Sequence, residues 1–108
     1  MNVEEITVQE LKKLIDENQT FFLLDVREQY EKDFVDIGGT LIPLGQLMER
    51  LEEIESEQDK PVIVYCRSGN RSAHACQALM ASGFSNVKNL KGGILKWAEE
   101  IDPELPTY

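Results

Sequence analysis

A cysteine and two arginines fall together in the stretch Cys66-Arg67-Ser68-Gly69-Asn70-Arg71-Ser72. A thiol set among cations and small, flexible residues has the makings of a reactive-cysteine loop, because the thiolate is the nucleophile and neighbouring positive charge favours it. The residues before it, Pro61-Val62-Ile63-Val64-Tyr65, form an unbroken apolar, β-branched run, the pattern of a strand buried on both faces of a parallel sheet. Those after it, Arg71 to Ser82, place Ala73, Cys76, Leu79 and Met80 at helical spacing. Cys66 is therefore expected at the carboxyl end of a strand, on the floor of a strand-loop-helix turn in which Gly69 and Asn70 tolerate unusual backbone angles. Such a turn aims backbone N–H groups at its centre, and the helix start adds about half a unit of positive charge. Two of the chain's four arginines flank this loop although the chain as a whole carries a net charge of −9. The spacing predicts an anion cradle built for sulfur.

The other candidate groups read as structure. Cys76 lies on the apolar stripe of the predicted helix and is expected in the core, and His74 sits off that stripe as a solvated or locally bonded side chain. Two cysteines and one histidine do not supply the four spaced ligands of a structural zinc site, so no metal is expected. A Cys66–Cys76 disulfide is not expected either, because a rise of about 1.5 Å per residue puts Cys76 more than a turn down the helix.

The elements that position the loop follow from the pattern. Ile6 suggests a short first strand, and Thr7 followed by Glu10 is a capping box opening a helix with Val8, Leu11, Leu14 and Ile15 on its apolar stripe, fraying near Asn18. Phe21 to Leu24 is a second strand ending at Asp25, and Arg27 to Phe34 allows one or two helical turns. Thr40-Leu41-Ile42-Pro43 reads as a short strand stopped by proline, followed by an amphipathic helix on Leu44, Leu47, Leu51 and Ile54. The acidic run from Glu49 to Asp59 is read as its solvated face. Val87 to Leu90 makes a fifth strand, Gly92-Gly93 a turn, and Ile94, Trp97, Ala98 and Ile101 a last helix ended by Asp102-Pro103. Strand and helix thus alternate five times. The predicted fold class is α/β, a three-layer α/β/α arrangement around a central, mainly parallel five-stranded sheet, with ligands bound beyond the carboxyl ends of the strands. Cys66, Asp25 and Gly92 are all placed at that edge.

At 108 residues, with 42% apolar and 29% charged side chains, the chain is expected to form one domain over residues 1–108. Twenty acidic against eleven basic residues oppose non-specific attachment to nucleic acid or an anionic membrane. No apolar run approaches the roughly 18 residues of a membrane span, and Met1-Asn2-Val3-Glu4-Glu5 does not read as a secretory signal. A cytoplasmic location is expected, with no nucleic-acid or membrane partner.

Four segments occur in order: Asp25-Val26-Arg27-Glu28, Ile37-Gly38-Gly39 leading to Ile42-Pro43, the Cys66–Ser72 loop, and Leu90-Lys91-Gly92-Gly93 leading to Trp97. Together they make the chain resemble a single-domain rhodanese over essentially its whole length, and the closing Asp102-Pro103-Glu104-Leu105-Pro106 looks like the end of rhodanese domains fused to sulfur-carrier-activating enzymes. The resemblance implies a sulfurtransferase without a cofactor. Cys66 would attack the outer sulfur of a donor such as thiosulfate or a persulfide, hold it as a persulfide, and yield it to a small-molecule acceptor or a sulfur-relay protein. The rest of the loop, Arg67, Ser68, Gly69, Asn70, Arg71 and Ser72, would bind the anion, with Arg71 closing the cradle and Arg67 pointing outward. Asp25 and Arg27 would support it by hydrogen bonds and an ion pair. The chain departs from the family pattern at Asp36 and Thr40, and at Glu31, which stands where two-domain rhodaneses carry a basic residue that helps bind thiosulfate; thiosulfate is therefore expected to be a poor donor. Two alternatives stay open. Phosphatases and arsenate reductases also hold a thiolate in a cradle, but theirs resembles Cys-x5-Arg, one residue longer than the spacing from Cys66 to Arg71. A non-catalytic interaction module on the same scaffold is the other, although inactive versions characteristically lack the cysteine.

Overall fold

The computed structural model describes residues 2–108. Along the chain run β1 (Glu4–Ile6), α1 (Val8–Asp16), β2 (Phe22–Asp25), α2 (Gln29–Phe34), β3 (Thr40–Leu41), a 3-10 stretch (Leu44–Gln46 and Met48–Glu57), β4 (Val62–Tyr65), α3 (Asn70–Ala81), β5 (Val87–Leu90) and α4 (Gly93–Glu100). All strand pairs are parallel, in the order β1-β5-β4-β2-β3. This is the expected α/β architecture.

The sheet is covered on both faces, and β4 shows why its sequence does not alternate between apolar and polar. Val62, Val64 and Cys66 project into one apolar cluster with Ala75, Cys76 and Leu79 of α3 and with Leu47 and Ile54 of the 3-10 stretch. Ile63 and Tyr65 project into the other, with Val8 and Leu11 of α1 and Ile94 and Trp97 of α4. A strand with period-two side chains and two apolar layers needs apolar residues at every position. Full burial of each aliphatic side chain contributes roughly 1.5–3 kcal/mol, so β4 anchors both layers. Its register with β2 sets Asp25 beside Tyr65, while Ile6 lies beside Leu90. The carboxyl ends of β2, β4 and β5 therefore share one edge, and Cys66 is the first residue past it.

Three boundaries differ from the sequence reading, each for a local reason. The amphipathic segment from Leu44 is a 3-10 helix rather than an α-helix. Its carbonyls accept from the third residue on, as in Leu47 N to Leu44 O and Arg50 N to Leu47 O, both 3.2 Å. The pairs Leu44/Leu47 and Leu51/Ile54 are spaced by three, and three residues per turn set each pair on one side. β3 stops at Leu41, although Ile42 N still donates to Asp25 O at 2.9 Å; Pro43 has no N–H to continue the ladder. Finally, α2 starts at Gln29 because Arg27 is held out of the helix, its backbone N–H bonded to Asp25 Oδ1 at 3.0 Å. The capping box is present as expected, with Glu10 N on Thr7 Oγ1 at 3.1 Å and Thr7 N on Glu10 Oε1 at 2.9 Å. Among the described residues no helix is long and apolar enough to cross a membrane.

Candidate active site

The loop after β4 is shaped by its neighbours. Cys66 O and Arg67 O accept from Ile94 N (3.0 Å) and Leu95 N (3.1 Å), so the first turn of α4 takes up the loop's carbonyls and leaves its N–H groups to face inward. Gly93 makes that approach possible. It sits at φ +61°, and a Cβ there would lie 2.4 Å from Arg67 O and 2.6 Å from Cys66 O. Gly69, at φ +111°, turns the chain into α3 from the left-handed region that favours glycine. Asn89 on β5 pins the turn, its Nδ2 donating to Gly69 O at 3.0 Å.

Cys66 Sγ receives the result. Gly69 N lies 3.1 Å from it, Ser72 N 3.4 Å and Ser72 Oγ 3.3 Å. Burial works against a charged sulfur here, since Cys66 is only 1% exposed. The Ser72 hydroxyl and the N–H groups of Ser72, Gly69 and Ser68 nevertheless outweigh burial and hold the thiol below its ordinary pKa. Helix starts have unpaired donors, and Cys66 sits where those of α3 converge.

Asn89 also decides what the Ser72 hydroxyl does. With its amide nitrogen turned to Gly69 O, its Oδ1 faces Ser72 Oγ and forms a short hydrogen bond with it. Ser72 has one hydroxyl proton and two acceptors for it, Asn89 Oδ1 and the sulfur. Ser72 donates to Asn89 Oδ1, and the same hydroxyl stands 3.3 Å from Sγ, a contact in which either atom can be the donor. Asn89 was not among the site residues read from the sequence, where it was only an interior residue of a short strand. Its burial at 4% exposure is a tertiary fact.

Behind the loop, Asp25 and Arg27 form an ion pair with no exposure at either side chain, Nη2 to Oδ2 at 2.8 Å and Nε to Oδ1 at 2.9 Å. The Arg27 guanidinium also reaches Glu31 O (3.2 Å) and Val35 O (2.9 Å), which ties the middle and the carboxyl end of α2 to β2. Tyr65 Oη lies 3.0 Å from Asp25 Oδ2 and 2.8 Å from Gly38 O, joining β4 and the loop before β3 to the same network. Burial and the Asp25 charge hold the Tyr65 hydroxyl far above its ordinary pKa, so it stays a neutral donor. Every polar atom of this pair is satisfied, the condition under which a buried ion pair is tolerated.

The two loop arginines are partnered away from the sulfur. Arg71 grips Glu31 with both terminal nitrogens, at 2.7 and 2.9 Å. Glu31 also accepts from Tyr108 Oη at 2.6 Å. The Arg71 hydrogen bonds lead in holding the Glu31 carboxyl at about 2, with Tyr108 adding to them against burial. Arg67 points outward as expected, donating from Nε to Tyr108 O at 2.6 Å with its guanidinium 5.1 Å from the Tyr108 ring centre. The groups that touch Sγ are thus backbone N–H and a hydroxyl, and Arg71 acts on it through space. Cys76 is fully buried in the core and unpaired. The buried face of α3 is Ser72, Ala75, Cys76 and Leu79, with Ala73 only half-buried; taking Ala73 as part of the stripe set the face slightly off, and the serine next to it is the residue that turns in. His74 is exposed. Trp97 is buried in the α1–α4 layer, not on the loop's rim.

A parallel α/β sheet with a cysteine cradled between a strand end and a helix start defines a thiolate-loop protein. Residues 7–100 match the rhodanese-like domain family. A sulfurtransferase of Allochromatium vinosum is 37% identical over 97 residues, which cover 89% of this chain and 89% of that protein. The crystal structure of a rhodanese-related protein from Thermoplasma volcanium superimposes with a TM-score of 0.80 at 35% identity, covering 91% of this chain and 93% of that one. An adenylyltransferase and sulfurtransferase of Zea mays, MOCS3-2, is 37% identical over 109 residues; they take in 95% of this chain but only 23% of that larger protein, so the chain spans about a quarter of its length. The chain belongs to the rhodanese-like domain family.

Proposed function

We propose that the protein carries sulfane sulfur as a persulfide on Cys66. The Cys66 thiolate attacks the outer sulfur of a donor such as thiosulfate or a protein or low-molecular-weight persulfide. The donor's S–S bond breaks, its electron pair leaves with sulfite or a thiolate, and a new S–S bond forms on Cys66. A thiophilic acceptor then takes the outer sulfur and returns Cys66 to the thiolate. The intermediate is covalent on the chain itself, so the cycle needs no cofactor. The observation that carries this reading is the convergence of Gly69 N and Ser72 N on Sγ at 3.1 and 3.4 Å, because preorganised N–H donors stabilise a negatively charged sulfur as an oxyanion hole stabilises oxygen. The net charge of −9 favours a small molecule or a sulfur-relay protein as partner over nucleic acid or an anionic membrane. A cytoplasmic setting, which keeps thiols reduced, suits two unpaired cysteines.

Intact-mass spectrometry after incubation with thiosulfate or a persulfide donor is expected to show a gain of one sulfur atom, about 32 Da, lost on addition of cyanide. Cys66→Ser abolishes the gain and Cys76→Ser retains it. An adduct that stays in Cys66→Ser, or none with either donor, overturns the proposal.

A further inference from the structure

The two arginines beside Cys66 are already partnered before any donor arrives. Arg71 is bound through both terminal nitrogens to Glu31, and Glu31 is 3% exposed, a fixed counter-charge rather than a mobile surface group. Arg67 is held by Tyr108 through the backbone oxygen and the ring face. A dianion approaching this side of the loop meets an ion pair instead of an open guanidinium, in a chain of net charge −9. The same helix that supplies Glu31 also presents apolar surface next to it. Tyr30 is 73% and Phe34 53% exposed, and the Phe34 and Tyr108 rings meet edge to face with centroids 5.9 Å apart. Tyr30, Glu31, Phe34 and Tyr108 line a shallow hollow of about 290 Å³, with a nearly wholly apolar surface. Large aromatic side chains left in water mark a place where something apolar binds. Glu31, common to the hollow and to the Arg71 pair, fixes it beside the active-site loop.

From this juxtaposition we infer the class of sulfur donor: a sulfane sulfur bonded to an apolar organic group and carrying no more than one negative charge, its organic part resting on Tyr30, Phe34 and Tyr108, in preference to inorganic thiosulfate. The inference rests on the sulfur-carrying reading of Cys66. For an aryl thiosulfonate the step is balanced without a further reagent. The Cys66 thiolate attacks the outer sulfur, the bond between that sulfur and the sulfonyl sulfur breaks, the aryl sulfinate leaves with the electron pair, and Cys66 is left as the persulfide anion. Charge selection is the part played by Glu31, and apolar selection the part played by Phe34 and Tyr30.

The test compares benzenethiosulfonate with thiosulfate as donors, with cyanide as the common acceptor and thiocyanate as the readout. The parent protein is expected to show the higher kcat/KM for benzenethiosulfonate. Phe34→Ala, a change at an exposed side chain, lowers that value about 10-fold and leaves thiosulfate unchanged. Glu31→Gln frees Arg71 and raises kcat/KM for thiosulfate about 10-fold relative to the aryl donor. A parent that prefers thiosulfate, or a Phe34→Ala variant in which the two donors change alike or not at all, overturns the inference whether or not Glu31→Gln folds. Loading of Cys66 by either donor, read by intact mass, separates the two levels: a loaded Cys66 with no donor discrimination refutes only the donor class, and an unloaded one refutes the sulfur-carrying reading itself.

Discussion

Cys66 and Cys76 belong to the same apolar cluster, flank the first half of α3, and are 1% and 0% exposed, yet their thiols are driven in opposite directions. Burial pushes the Cys76 thiol up to about 12, with the nearby Cys66 charge adding to it. Burial acts on Cys66 in the same sense and is overcome by the donors of Ser72, Gly69 and Ser68. Depth in the protein therefore does not make a cysteine inert or reactive. What separates the two is position on the helix. Within a helix the backbone N–H groups are taken by carbonyls one turn back, so Cys76 finds none free; before the first turn they are unpaired, and Cys66 receives them. Reactivity here is a property of the helix start, lent to the residue that the strand end places there.

The comparison is tested most severely by alkylation. Iodoacetamide at neutral pH is expected to modify Cys66 and leave Cys76 untouched in the folded protein, all or none on tryptic mapping, with both labelled only in denaturant; equal labelling of the native protein would break the contrast. Gly93→Ala should remove the carbonyl-capping contact that turns the loop inward. Its Cβ would fall 2.4 Å from Arg67 O at φ +61°, so a loss of about 2–4 kcal/mol in urea unfolding is expected, together with slower sulfur loading. Gly92→Ala is strained as well, at φ +80° with its Cβ 2.6 Å from Lys96 Cβ, but that Cβ meets no loop carbonyl, so it should cost stability while slowing sulfur loading less than Gly93→Ala. Ser72→Ala removes one of the donors unique to Cys66. Ultraviolet thiolate titration is expected to show the Cys66 pKa rising, and the thiolate fraction at neutral pH falling with it, with Cys76 unmoved. A Cys66 pKa unchanged in Ser72→Ala would assign the stabilisation to the backbone alone.

The smallest effect concerns Glu31, whose carboxyl is depressed from 4.5 to about 2 by Arg71 first and then, against burial, by Tyr108. A depressed carboxyl contributes stability that is fully present above its unfolded pKa and is lost as pH falls through the folded one. Stability measured by urea should thus drop between pH of about 4.5 and about 2, and Glu31→Gln should flatten the fall in that window. Thiol titration above neutrality should leave this pair unaffected, which keeps the acid limb separate from the Cys66 behaviour.

Much of this arrangement was legible in the sequence. The unbroken apolar run of β4 announced a strand covered on both faces. The thiol followed it directly, and the capping box at Thr7 and Glu10 and the proline after β3 marked their boundaries through purely local chemistry. The helical pattern after the loop located Cys76 in the core. Pattern was least informative where a single spacing serves two geometries, as with Leu44, Leu47, Leu51 and Ile54, compatible with an α-helix by stripe and with a 3-10 helix by the spacing of three within each pair.

The site's wiring was another matter. Arg71 reads as a cation closing the cradle over the sulfur because sequence proximity shows only that the two share a loop; the fold turns it to a glutamate forty positions earlier, while Arg67, expected to point outward, finds its partner in Tyr108. Asn89, which holds Gly69 O and faces Ser72 Oγ, carries no local signal, since an asparagine in a short strand declares neither its burial nor its partner. Local sequence by itself determined the elements and the placing of a thiol at a strand end before a helix, because backbone preferences and hydrophobic period act between near neighbours. Only the tertiary structure decided which donors reach the sulfur and which charges are cancelled, because hydrogen bonds and ion pairs depend on distances between segments that are brought together when β2, β4 and β5 pair in register.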